Sequence, residues 1–214
     1  MSRQNAAHPS SLADMTRPHR PLARSAFASL LLAAAGTAAA HTDTGAAGGF
    51  VSGFTHPLVG IDHLLAMVAV GVWGAVLRAP LIWALPVVFP LLMVVGGVVG
   101  ILGIGLPGVE VGIALSVLLL GLAIAAAWRA PVAAAIAIVA LFGVLHGHAH
   151  GTELPDSVSP AAYAAGFVVS TGLLHLSGIL LGSLDRLPRG LVILRCIGAL
   201  MGVAGGWMLV GRLL

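Results

Sequence analysis

The 214-residue chain reads as an all-α polytopic membrane protein, with about six transmembrane helices after an N-terminal signal peptide. Three observations predict this class. Hydrophobic residues make up 59% and charged residues only 8%, against roughly 25% charged in a soluble domain. The mean hydropathy is +1.07, so too little polar surface exists to cover a water-soluble fold. After residue 40 the apolar runs recur at about the 20 residues a bilayer requires, between short breaks holding Pro, Gly or Arg.

The composition also removes classes. One cysteine excludes an intrachain disulfide framework and any Cys-rich zinc or iron–sulfur site. All ten basic residues are Arg. Without Lys there is no Walker-A phosphate loop and no retinal Schiff base.

The first element is the leader, residues 1–40. Arg3, Arg17, Arg20 and Arg24 precede an apolar run of small residues that ends Ala38-Ala39-Ala40 and fits an A-x-A cleavage rule. Forty residues is long for such a peptide, and a start at Met15 gives a more usual length. Cleavage after Ala40 leaves six Arg and six acidic residues. The formal charge of +3 then disappears, and no nucleic-acid partner is expected.

Residues 41–214 are expected to form a single domain with spans near 57–77, 81–104, 109–128, 131–149, 160–182 and 190–212. Pro57, Pro131 and Pro160 open three of them, where a missing N–H costs nothing. Pro86 and Pro90 fall inside the second and should kink it or open its first turns. An exported N-terminus places Arg78, Arg129, Arg186 and Arg189 in inner loops. Asp43, Glu110, Glu153 and Asp156 then lie in outer ones. This agrees with the positive-inside rule, and only Arg212 in the outer tail departs from it. Gly96 and Gly100, Gly178 and Gly182, and Gly198, Gly202 and Gly206 are spaced for close helix packing. Gly48-Gly49-Phe50-Val51 and Gly166-Phe167-Val168 are loosely alike.

The chemistry lies in the histidines. Six of the seven beyond the leader fall on the expected outer side: His41, His56, His63, His146, His148 and His150. His56 and His63 are seven apart, so on one helix they share a face. Counting from Pro57, Asp62 and His63 stand about 8–9 Å inside the membrane. A carboxylate there costs about 2.5–3.5 kcal/mol to insert and needs a cation, an imidazole or a metal. A buried Arg such as Arg195 is one candidate. Counting from Pro131, His146 stands about 22 Å up the fourth span, within about 8 Å of the outer face of a ~30 Å core. The two counts reach one depth from opposite sides. If the first and fourth spans pack together, Asp62, His63 and His146 meet there, with His150 one turn above and Glu153 beyond. Imidazole and carboxylate without thiolate suit borderline divalent ions such as nickel, cobalt and zinc.

Other donors are weaker candidates. His41 would begin the mature chain, and its amine and imidazole make a chelate. His148 points away from His146 on a helix. His175 lies deep in the fifth span as a second station or a packing residue. Glu110 opens the third span as a pathway ligand or a helix N-terminal charge. Met67, four residues after His63, is a soft ligand or a core residue.

Two segments carry a resemblance. His56-Pro57-Leu58-Val59-Gly60-Ile61-Asp62-His63-Leu64-Leu65-Ala66-Met67 continues to Val70-Gly71-Val72-Trp73, and later comes His146-Gly147-His148-Ala149-His150-Gly151-Thr152-Glu153. Here the chain resembles the HupE/UreJ family of small nickel permeases. The resemblance implies roles for His56, Asp62, His63, His146 and Glu153 in a metal path, with nickel or cobalt supplied to a hydrogenase or urease. The residues alone say only a borderline divalent ion.

The expected function is therefore a secondary transporter or facilitator, not an enzyme, in a bacterial inner membrane with the mature N-terminus outside. It would hold no permanent cofactor, and its partners would be the lipid bilayer and the transported ion. A homo-oligomer and an indirect link to nickel-enzyme maturation are left open. Two other classes use the same donors. An intramembrane zinc-dependent hydrolase would need a fixed site and a base, for which only Glu153 offers itself. A metal-sensing membrane subunit would need an output domain.

Overall fold

The computed structural model describes residues 46–154 and 159–214. Both the leader with His41 and the loop position Asp156 lie outside them. The described residues form seven α-helices: α1 Ala46–Val59, α2 Ile61–Leu77, α3 Leu81–Ile101, α4 Val109–Ala125, α5 Val132–Thr152, α6 Pro160–Gly182 and α7 Gly190–Leu213. A short 3-10 turn, Ser183–Arg186, joins the last two.

The first expected span needs correction. Pro57 does not open it. Pro57 lies in the last turn of α1, and the chain breaks at Gly60, which is extended at φ −75°, ψ 106°. Gly60 N–H still donates to His56 O at 3.3 Å, while Leu64 N–H donates to Gly60 O at 2.9 Å and starts α2. The two helices meet at 81°. His56 and His63 therefore stand on different helices, not on one shared face. Pro57 lacks the N–H that would hold Gly53 O, which weakens α1 just before the break.

Four helices, α3, α5, α6 and the last, α7, are long and apolar enough to cross a membrane, and the α1–α2 pair passes the same test as a bent unit. α4 is apolar but has 17 residues, ending at Ala125 instead of 128. It spans about 26 Å at 1.5 Å per residue. α3 runs continuously through Pro86 and Pro90, leaving the carbonyls of Ile82 and Pro86 without their helical donors.

Packing is pairwise. α3 lies along α5, α4 along α7, and α6 along both α1 and α2. Lipid tails supply no hydrophobic drive between helices, so close backbone approach does the work. A Cβ on Gly147 would strike Met93 O, and one on Gly178 would strike Val68 O. One on Gly121 would strike the Gly202 backbone N. Gly96, Gly100, Gly198 and Gly182 pack as their spacing suggests. Gly206 does not: a Cβ there meets only Leu118 Cδ1 at 3.9 Å, and Gly205 makes the close approach to Leu118 instead. The two similar glycine segments face each other, since a Cβ on Gly166 would strike Phe50 O. Large apolar side chains on the outward faces, such as Leu91, Val98, Val203 and Trp207, are exposed as a lipid-facing surface requires.

Candidate metal centre

The α1–α2 break is what assembles the site. It turns the end of α1 so that His56 reaches over the first turn of α2, where Asp62 and His63 project inward. α5 runs three residues further than expected, to Thr152. His146 and His150 are consequently four apart on one helix and share a face. Glu153 follows at its C-cap, with its N–H on Ala149 O at 3.0 Å.

The imidazoles form a continuous group. Ring centroids are 4.4 Å apart for His63 and His150, 4.8 Å for His56 and His150, and 4.9 Å for His63 and His146. Ligand atoms of His56, His150 and Glu153 lie within 4.8 Å of one another, with His56 Nε2 at 3.7 Å from Glu153 Oε2. His146 is fully buried and His150 is 6% exposed. α2 and α5 touch here through these side chains; their backbones belong to other pairs.

Hydrogen bonds assign which nitrogen of each ring is free. Asp62 Oδ1 lies 2.7 Å from His63 Nδ1 and also accepts the His63 backbone N–H at 2.9 Å. A carboxylate can only accept, so Nδ1 carries the proton. His63 Nε2 keeps its lone pair, buried and without a partner. The Ser116 hydroxyl donates to Ile113 O at 2.6 Å, so its oxygen accepts from His146 Nε2 at 2.9 Å. That leaves the lone pair of His146 on Nδ1, also buried without a partner. Among the described residues neither ring nitrogen of His150 has a partner. Leaving a buried polar group unsatisfied costs about 1–3 kcal/mol. Three such groups within one cluster suit a divalent cation that accepts their lone pairs. Asp62 behind His63 matches the carboxylate–histidine–metal arrangement that fixes ring orientation and raises basicity.

The remaining candidates are elsewhere. His148 turns away from His146 and donates through Nε2 to Ile104 O at 2.8 Å, tying the loop after α3 to α5. Glu110 pairs with Arg212 at 2.6 Å, and the same guanidinium stands 3.6 Å from Asp62 Oδ2. Arg195 is not the partner of Asp62; its Nε donates to Ala125 O at 2.8 Å. Met67 accepts from Thr171 Oγ1 at 3.5 Å. His175 is buried on α6, below the group. At the other end of the bundle Arg78 and Asp185 pair at 2.7 Å.

Sequence reasoning missed Ser116, Arg212 and three aromatics. Phe167 lies tilted with its ring centroid 4.1 Å from that of His150, Tyr163 lies 6.0 Å from His56, and Phe89 lies 5.4 Å from His146. The signals in the sequence are Ser116, a hydroxyl inside an apolar helix, and Arg212, the one Arg of the outer side.

The family model described as HupE / UreJ protein matches residues 29–208. "Protein HupE" of Rhizobium leguminosarum bv. viciae is 43% identical over 173 residues, covering 80% of this chain and 91% of that protein. No solved structure matches. A match over most of the chain, with both histidine segments inside it, makes this chain a member of the HupE/UreJ family.

Proposed function

We propose that this protein is a secondary transporter or facilitator that carries a borderline divalent cation inward across a bacterial inner membrane. Nickel is the first choice and cobalt the second. The family is tied to nickel or cobalt transport and to accessory functions for hydrogenase or urease, rather than to catalysis. The observation that carries the reading is the cluster of buried, unpartnered imidazole lone pairs on His63, His146 and His150, inside helices that cross the bilayer.

The Asp62 and Glu153 end is the periplasmic entrance in this reading. The opposite loops carry Arg78, Arg129, Arg186 and Arg189, as the positive-inside rule asks. His56 and Glu153, half-exposed, take the ion from water. His150, His63 and His146 then replace its hydration shell. The membrane potential supplies about 2.3 kcal/mol per charge per 100 mV, or about 4.6 kcal/mol for a dication.

The test is nickel accumulation in cells expressing wild type, His63→Ala and His146→Ala at matched membrane levels, with cobalt and zinc as competitors. Loss in both variants is expected. A wild type that accumulates none of the three metals overturns the reading.

A further inference from the structure

Below the outer imidazoles, a second row of polar groups descends α6 on the side packed against α2. Ser170, Thr171 and His175 are all buried there. Among the described residues, Ser170 Oγ and both ring nitrogens of His175 have no hydrogen-bond partner. Thr171 holds the Met67 thioether at 3.5 Å. His175 lies level with Gly71, since a Cβ on Gly71 would strike His175 O. Gly71 is eight residues beyond His63 on α2, about 12 Å deeper.

A histidine kept for packing normally satisfies at least one ring nitrogen. His175, 1% exposed, satisfies neither. Two further donors stand near it. The Pro86 carbonyl, freed by Pro90, lies beside the ring. Met67 offers sulfur one helical turn above. Between this place and the outer group stands Phe89, whose ring is 5.4 Å from that of His146 and 5.5 Å from that of His175.

We propose that His175 is the centre of a second, inner cation station, with Met67 and the Pro86 carbonyl as further donors. The Phe89 ring separates it from the outer imidazoles, and an ion passes when that ring turns aside. This rests on the transport reading above. It adds a soft donor that the outer group lacks, which favours nickel and cobalt over hard cations.

The test uses the full-length protein in detergent, titrated with Co²⁺ and followed by equilibrium dialysis and visible absorption. His175→Asn and His175→Gln should each bind one equivalent fewer than wild type, with outer-site affinity within about threefold. Nickel accumulation in cells should fall at least tenfold. Met67→Leu should keep the wild-type count and weaken only the last equivalent. His175 variants with undiminished stoichiometry overturn the inner station alone. A wild type that binds no Co²⁺ overturns both this and the transport reading.

Discussion

Asp62 grips His63 twice, accepting the ring Nδ1–H at 2.7 Å and the backbone N–H at 2.9 Å through one oxygen, Oδ1. The carboxylate thus sets the tautomer and the rotamer of its neighbour and aims Nε2 at His146 and His150. In the proposed site Asp62 supports its neighbour from behind. Asp62→Ala should weaken metal binding about 10–100-fold, the usual cost of losing such a partner. Asp62→Asn keeps an acceptor oxygen but not the charge, and should fall between. Isothermal titration of Ni²⁺ into the purified variants checks the order. An Asn variant indistinguishable from wild type would show that the charge is unimportant.

The Ser116 hydroxyl does for His146 what Asp62 does for His63, without charge. Ser116→Ala leaves a buried N–H with no acceptor, a loss of about 1–3 kcal/mol. Both thermal stability in detergent and nickel affinity should drop, while Ser116→Thr restores both. Threonine behaving like alanine would sink the assignment of the His146 proton to Nε2.

The spans were legible because lipid imposes a length and a composition on every helix that crosses it. The common depth of His63 and His146 was legible for the same reason, since a rise of about 1.5 Å per residue converts position into depth. The α1 helix was not. Gly48 and Gly49 show in the sequence only a loose likeness to the Gly166 segment, yet Gly49 and Gly53 are the contact surface against α6. Proline punctuates helices, so Pro57 is expected to open the first span, whereas the extended residue is Gly60. The hold of Ile104 O on His148, and of Arg212 on both Asp62 and Glu110, left no trace in spacing. Each joins residues far apart in sequence, and a single side chain reaching across a bundle has no period.

Metal binding by imidazole requires the neutral ring, so protons compete with the ion. Lowering the pH adds protons that compete for the same imidazole lone pairs, and a protonated ring also repels the dication. Nickel accumulation should fall as the pH is lowered from 7 to 5. Uptake measured across that range, at constant free nickel, checks it. Full uptake at pH 5 would argue against imidazole ligation at the entrance.

Arg212 is the one Arg of the described residues at the entrance, and its charge is spent on Asp62 and Glu110. Exposed pairs of this kind contribute about 0–1 kcal/mol, so Arg212→Gln should barely move the unfolding temperature. Removing a positive charge beside the entrance should instead raise the capture rate of a dication, and more so at low ionic strength. Initial nickel uptake in low and high salt separates the two effects. A slower, salt-insensitive uptake would make Arg212 a structural clamp.

The metal centre is only as well placed as α5, and α5 is placed by glycines. A Cβ at Gly147 would strike the carbonyl of Met93, and one at Gly151 would strike that of Gly97. Neither carbonyl is the flexible end of a side chain, so the helices must separate. Overpacking of this sort costs about 1–3 kcal/mol, and the displacement moves His146 and His150 away from His63. Gly147→Ala should therefore lose nickel uptake together with stability, although it touches no donor atom. Gly172 on α6 meets nothing within 4 Å. Gly172→Ala should leave both unchanged, and serves as the control for glycine replacement in a spanning helix. Unfolding temperature and nickel accumulation measured on the pair decide the matter: equal behaviour of the two variants would mean that the α3–α5 spacing does not set the ligand geometry.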